Sequence, residues 1–236
     1  MHHPVSFDSM HAVQDNTLVS QRGAPATRPA VLVQPPIPPP ARLIVGVSGA
    51  SGIIYAVTAL NLLRSMNIET HLVVSRAGQL TRSHETDLSR EAFEGLASVT
   101  YGIGDVGAAV SSGSFATMGM IILPCSMRTL AAIATGLSDS LLTRAADVTL
   151  KERRRLVLMV RETPLHLVHL RNMQAATECG AIVFPPVPAF YTHPESLQDI
   201  VTHSVARALD LFGIDSQAIP RWGETIGMAP HLGAQV

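Results

Sequence analysis

The string Ser48-Gly49-Ala50-Ser51-Gly52 stands between a short apolar segment, Arg42–Val47, and an apolar helical stretch. Backbone N–H groups at a helix N-terminus carry partial positive charge, and glycines let an anion approach closely. The string lacks the Gly-Lys-Ser/Thr of a P-loop, and Gly46-x-x-Gly49-x-x-Gly52 departs from the dinucleotide fingerprint. Two hydroxyls sit inside it instead. Donors of both kinds suit a terminal phosphate monoester, such as that of FMN; the plainer reading is a well-packed strand–helix corner.

Further residues of this type follow. Pro124-Cys-Ser-Met-Arg-Thr129 places Ser126 and Thr129 at a second helix start, where a hydroxyl N-cap is the structural alternative to ligand binding. Arg161-Glu-Thr-Pro164 follows a buried strand. Arg161 there suits an anion or a flavin carbonyl and Glu162 suits proton delivery to a leaving group, against the plainer surface ion pair. Arg144 and Lys151 stand seven apart, hence on one face of a helix. Lys151 is the only lysine beside sixteen arginines, which singles out a compact point charge. Tyr191 and Arg207 suit an anion as well, though each alone reads as structural. His71, His84, His166 and His169 show no ligand spacing, so no metal is expected.

The elements that must position these groups alternate in type. Strands are predicted over 43–47, 70–74, 119–124, 155–160 and 181–184, each short and rich in Val, Ile, Leu or Met. Helices are predicted over 53–66, 127–135, 140–154, 165–179 and 194–212. Such alternation indicates an α/β doubly wound parallel sheet, with ligands beyond the carboxyl ends of the strands. Ser48 to Gly52, Ser75, Cys125 to Thr129 and Arg161 to Pro164 all fall at those ends.

Composition narrows the function classes. A net charge of −1 among 236 residues gives no reason to expect nucleic acid or an acidic membrane. The chain is 47% hydrophobic and 15% charged with a mean hydropathy of +0.26, yet holds no run of the ~18 apolar residues that span a bilayer. The excess suits subunit interfaces, so a homo-oligomer is expected. Cys125 and Cys179 read as free thiols in a reducing compartment, the cytoplasm. Residues 1–41 hold 8 of the 16 prolines and are expected to be a disordered tail with no catalytic work. A single domain is assigned to 42–224 and a short tail to 225–236.

Taken together, Gly46-Val-Ser-Gly-Ala-Ser-Gly52, Glu85-Thr-Asp87, Pro124-Cys-Ser-Met-Arg-Thr-Leu130, Arg144-Ala-Ala-Asp147, Lys151-Glu-Arg153, Arg161-Glu-Thr-Pro164, Asn172-Met173, Phe190-Tyr191 and Pro220-Arg-Trp-Gly-Glu224 resemble the UbiX-type flavin prenyltransferases. The resemblance runs in order from Arg42 to about Trp222. It implies a flavodoxin-like subunit, assembled as a dodecamer with active sites at subunit junctions. It implies a metal-independent reaction of reduced FMN with dimethylallyl monophosphate, joining the allyl group to flavin N5 and then C6. The product, prenylated FMN, would serve a UbiD-type decarboxylase. By the same resemblance Gly49, Ala50, Ser51, Ser75, Ser126, Met127, Arg128, Thr129 and Arg161 would hold FMN. Tyr191 and Arg207 would bind the prenyl phosphate with Arg144 and Lys151, and Ser51 and Glu162 would serve the chemistry. Glu85, expected in the loop after the second strand, is a further site candidate. Arg76, where lysine is common, is expected to lie off the site.

Two other readings differ in class. A flavin-dependent cysteine decarboxylase shares the implied fold but resembles Pro-Ala-Ser-Ala-Asn-Thr where this chain has Pro124-Cys-Ser-Met-Arg-Thr129. An idle regulatory subunit would be expected to lose the polar site residues that are present here.

Overall fold

The computed structural model describes residues 41–223 and 226–227; the proline-rich segment and nearly all of 225–236 lie outside them. Six strands form one parallel sheet: β1 Arg42–Val47, β2 Glu69–Val74, β3 Val99–Tyr101, β4 Gly119–Cys125, β5 Arg155–Val160 and β6 Ile182–Val183. Their order is β3-β2-β1-β4-β5-β6, so the winding reverses between β1 and β4. Among the described residues seven helices accompany them: α1 Ile53–Ser65, α2 Arg76–Glu85, α3 Arg90–Glu94, α4 Met127–Ala134, α5 Leu141–Lys151, α6 Leu167–Glu178 and α7 Leu197–Asp210. Two 3₁₀ turns lie at Ala109–Ser111 and Phe190–Thr192.

The strands are apolar throughout because both faces are covered. Val157 and Met159 of β5 join Leu43 and Val45 under α1 and α7, where Leu60, Leu63, Val205 and Leu209 close one core. Leu156 and Leu158 face the other way, with Met120, Ile122, Leu130 and Leu142 beneath α4 and α5. Each such Leu or Ile contributes about 1.5–3 kcal/mol on burial. Helix α1, apolar almost all round, buries Ile53, Ala56, Ala59, Leu60 and Leu63 and leaves Ile54 partly exposed.

Five of the six strands and five of the seven helices are those the periodicity predicts. The sixth strand, β3, is three mostly exposed residues and carries no apolar run. Helix α2 was not predicted because its sequence, RAGQLTRSHE, buries only Gly78. Its N-cap, Ser75, accepts a hydrogen bond from Gly78 N at 3.0 Å. No helix among the described residues is long and apolar enough to cross a membrane.

Pairing continues one residue beyond the strands and aligns the loops that follow them. Ser75 N donates to Val47 O at 2.9 Å, and Arg161 N donates to Cys125 O at 3.1 Å. Between β1 and β4 Ser48 N donates to Pro124 O at 3.1 Å, and a side chain adds to that link. Ser48 Oγ donates to Pro124 O at 3.0 Å and accepts from Ser126 N at 2.7 Å, with Ser48 only 1% exposed. Ser48→Ala orphans a buried N–H and is expected to cost about 1–3 kcal/mol. A denaturant midpoint equal to the unsubstituted protein's at the same protein concentration would show that the clamp contributes nothing.

Candidate active site

At the reversal between β1 and β4, a cavity of about 490 Å³ opens beyond the carboxyl ends of the strands, where doubly wound sheets bind ligands. Gly49 lines it from the β1–α1 loop, and Ser75, Arg76 and Ala77 from the start of α2. Ser126, Arg128 and Thr129 line it from the start of α4. Ile103 and Gly104, beyond β3, face Asp139, Ser140 and Leu142 at the start of α5.

Three helix N-termini therefore converge, each capped by a serine of the cavity wall: Ser75, Ser126 and Ser140. Each cap satisfies one N–H and leaves others of the first turn for a ligand. Gly49 is required for this closeness, because a Cβ there would stand 2.3 Å from Ala77 Cβ. Arg128 is paired with Asp139 at 2.7 Å at the exposed rim, an interaction of small net value that a ligand anion can replace. Arg76 has no ion pair among the described residues. Hydroxyls, helix N-termini and two guanidiniums suit a phosphate, while Ile103, Gly104 and Leu142 offer an apolar wall for a flat ring. The residues present fit FMN.

The N-terminus of α1 is used differently. Gly52, the N-cap, has φ 111°, a left-handed conformation that glycine tolerates, and offers no side-chain cap. The Glu85 carboxylate takes that role from across the fold. It accepts from Gly52 N at 2.9 Å and from Ile53 N at 2.8 Å, and Ser51 hydrogen-bonds it as well. The expected anion cradle is thus real, but the anion in it belongs to the chain. Glu85 is also the last residue of α2 and not part of a loop, because the unpredicted helix carries it there. Burial pushes its pKa up. Hydrogen bonds from Ser51, Ile53 and Gly52, together with the Arg161 charge, outweigh this and hold it below the ordinary value of 4.5.

The other predicted residues divide by place. Ala50 is 9% exposed beneath the first loop, and Met127 is half-buried on α4 against the core. Arg161 stands near α1, where its charge acts on Glu85 and opposes the burial-driven rise of the Tyr55 pKa. Glu162 forms no ion pair with Arg161; its carboxylate accepts from Thr163 N at 3.0 Å and is exposed. None of these four lines the cavity, nor does Ser51.

The cations assigned to the prenyl phosphate lie farther off. Arg144 pairs with Asp147 at 2.8 Å and Lys151 with Glu152. A helix rises about 1.5 Å per residue, so Lys151 lies roughly 16 Å along α5 from Ser140, near the amino edge of the sheet. Tyr191 and Arg207 belong to the α1/α7 face, opposite the α4/α5 face that walls the cavity. The Tyr191 ring meets Trp222 edge-on at 5.4 Å and His203 at 6.0 Å, while Arg207 pairs with Asp210 at 2.5 Å.

The sequence reading missed Arg76, Ala77, Ile103, Gly104, Asp139, Ser140 and Leu142. Arg76 was expected off the site and instead lines it, because α2 starts immediately after Ser75 and turns its first residues over the cavity. Ser140 carried a usable signal, a hydroxyl ahead of a helical run with a hydroxyl three residues on. Ile103 and Gly104 carried none, since the strand that delivers them was itself unpredicted. Among the described residues no group of three or more His, Cys, Asp or Glu is placed to hold a metal. Burial pushes the Cys125 thiol up to about 12, which makes it inert as a nucleophile.

Residues 38–209 match the Flavoprotein family. A flavin prenyltransferase UbiX from Neisseria meningitidis serogroup B is 59% identical over 181 residues, covering 77% of this chain and 96% of that protein. The crystal structure of AnUbiX in complex with FMN and dimethylallyl pyrophosphate superposes with a TM-score of 0.76 at 50% identity, covering 77% of this chain and 96% of that one. A dodecameric FMN-dependent UbiX-like decarboxylase from Escherichia coli O157:H7 gives 0.75 at 50% identity, covering 77% and 98%.

The Glu85 cap has a pH signature. A carboxyl whose folded pKa is depressed stabilises the protein above its unfolded value, and that contribution is lost as pH falls through the folded value. Glu85→Gln is therefore expected to lower stability at pH 7 by about 1 kcal/mol. The gap from the unsubstituted protein should close in acid. Denaturant midpoints across pH 7 to about 3 check this, and a pH-independent gap would contradict it.

Proposed function

This chain belongs to the UbiX-type flavin prenyltransferases of the Flavoprotein family, and from that membership we propose how its residues divide the work. The reaction joins the dimethylallyl group of dimethylallyl monophosphate to reduced FMN and yields prenylated FMN. The observation that carries the assignment of roles is the cavity at the β1/β4 reversal, with three capped helix N-termini and two guanidiniums.

When bound, reduced FMN supplies the electron-rich ring that accepts the allyl group. Gly49, Ser75, Ser126, Arg128 and Thr129 would hold it, with Arg76 added to the expected set and Ala50, Ser51, Met127 and Arg161 around the first, third and fourth loops. Ser51, with a smaller effect from the Arg161 charge, also lowers the pKa of Glu85 at the α1 N-terminus. Glu85 stays ionised there and caps the helix.

The leaving phosphate needs cations placed where negative charge grows. Each charge-assisted hydrogen bond contributes about 1.5–3 kcal/mol, so Arg144, Lys151 and Arg207, with the Tyr191 hydroxyl, would remove a substantial part of the barrier. In one subunit they stand on other faces or the far edge of the sheet. Neighbouring copies must bring them to the cavity, a reading supported by the dodecameric state of a close structural relative. Glu162, exposed on the loop after β5, is free to give a proton to the departing phosphate. The product then leaves for a UbiD-type decarboxylase. Two unpaired cysteines, Cys125 and Cys179, suit a reducing compartment, and we place the enzyme in the cytoplasm.

Anaerobic incubation with FMN, dithionite and dimethylallyl monophosphate should release a flavin heavier by one C5H8 unit, read by mass spectrometry. Unmodified FMN from a flavin-loaded protein, with the diphosphate failing as well, would sink the reading. Glu162→Gln is expected to retain FMN but slow transfer by about 10²-fold; unchanged turnover would remove Glu162 from the mechanism.

A further inference from the structure

We propose a second anion-binding site at the amino edge of the sheet, the edge away from the FMN cavity. It takes a small molecule with an oxyanion head, phosphate or carboxylate, and a compact apolar body. A cavity of about 480 Å³ lies there, at the starts of β5 and β6 and the residues leading into β4. Arg153, Arg154 and Arg155 line it, and no acidic side chain does.

Arg154 is committed to the fold: its guanidinium donates to Phe115 O at 2.7 Å and to Gly113 O at 2.6 Å. Arg153 and Arg155 are exposed, and neither side chain has a hydrogen bond or ion pair among the described residues. Their charge is unneutralised, and a guanidinium fork matches the spacing of oxyanion oxygens. Arg153 also occupies the left-handed position that ends α5, with φ 56°. Arg153 N bonds Leu150 O and Arg154 N bonds Thr149 O, both at 2.9 Å, a helix ending at which glycine is the usual residue.

The second observation is independent of charge. Thr117 lines the same cavity, is 4% exposed, and its Oγ1 is buried without a hydrogen-bond partner. Buried hydroxyls in native proteins nearly always find one. An oxyanion held by the two free guanidiniums would accept from Thr117 as well. Met118, Ile182 and Phe212 form the apolar part of the lining and suit a hydrocarbon or aromatic body rather than bare phosphate.

Titration calorimetry on the FMN-loaded full-length protein tests this, with inorganic phosphate, phenyl phosphate and benzoate as probes. Phenyl phosphate or benzoate should bind more tightly than inorganic phosphate, and the stronger of the two identifies the head group. Arg155→Ala should weaken that probe roughly tenfold and Thr117→Val roughly threefold. FMN content and the KM for the prenyl phosphate should not change. If either variant loses FMN, Arg153→Gly, which suits the left-handed backbone, takes its place under the same criteria. Binding of no probe, or binding indifferent to these substitutions, overturns the proposal. A raised KM for the prenyl phosphate in Arg155→Ala also overturns it, since the pocket would then belong to the reaction's own substrate.

Discussion

Ser48, through its backbone N–H and its hydroxyl, ties together the ends of the two strands between which everything else is arranged. Where the winding reverses, the loops that follow β1 and β4 part in opposite directions. Ser48 Oγ bridges Pro124 O and Ser126 N across that parting, so the first loop and the start of α4 cannot move independently. The Ser75–Val47 and Arg161–Cys125 backbone bonds extend the same alignment to the loops after β2 and β5. Four loops are thereby held on one edge, which is the condition for a ligand to be gripped from several sides at once.

Helix N-termini supply most of the fixed positive field on that edge, and the chain spends them unequally. Those of α2, α4 and α5 are capped by short serine hydroxyls that leave room for a ligand. That of α1 is filled by a carboxylate from the end of α2. The Glu85 contact also fixes α2 against α1. Because Arg76 and Ala77 lie at the other end of α2, the carboxylate helps to set the cavity wall as well as the charge beside it.

On the proposed division of roles, one subunit holds the flavin cavity but not the groups that would ionise an allylic phosphate within it. The groups suited to that task sit on α7, on the 3₁₀ turn before it, and along α5. Their separation is a matter of helix length and of which side of the sheet a helix covers, so no side-chain motion corrects it. On that proposal assembly would be part of catalysis, and the apolar composition that suits subunit contacts would have a chemical reason behind it.

Apolar periodicity made the five longer strands and five of the helices legible, because burial on both faces of a parallel sheet leaves a continuous hydrophobic run. The hydroxyl and glycine positions at the strand ends were legible for the same reason: they mark where those runs stop. Helix α2 and strand β3 were not, since both are polar and owe their form to neighbours rather than to a buried face of their own. With them went Arg76, Ile103 and Gly104. The sequence by itself determined the fold class, the family and the edge on which ligands are bound. Only the tertiary structure decided that Glu85 fills the first cradle and that Arg76 faces the flavin cavity. It alone also set Arg144, Lys151, Tyr191 and Arg207 apart from that cavity in a single chain. Each depends on distances between segments far apart in sequence, which residue types and spacing do not encode.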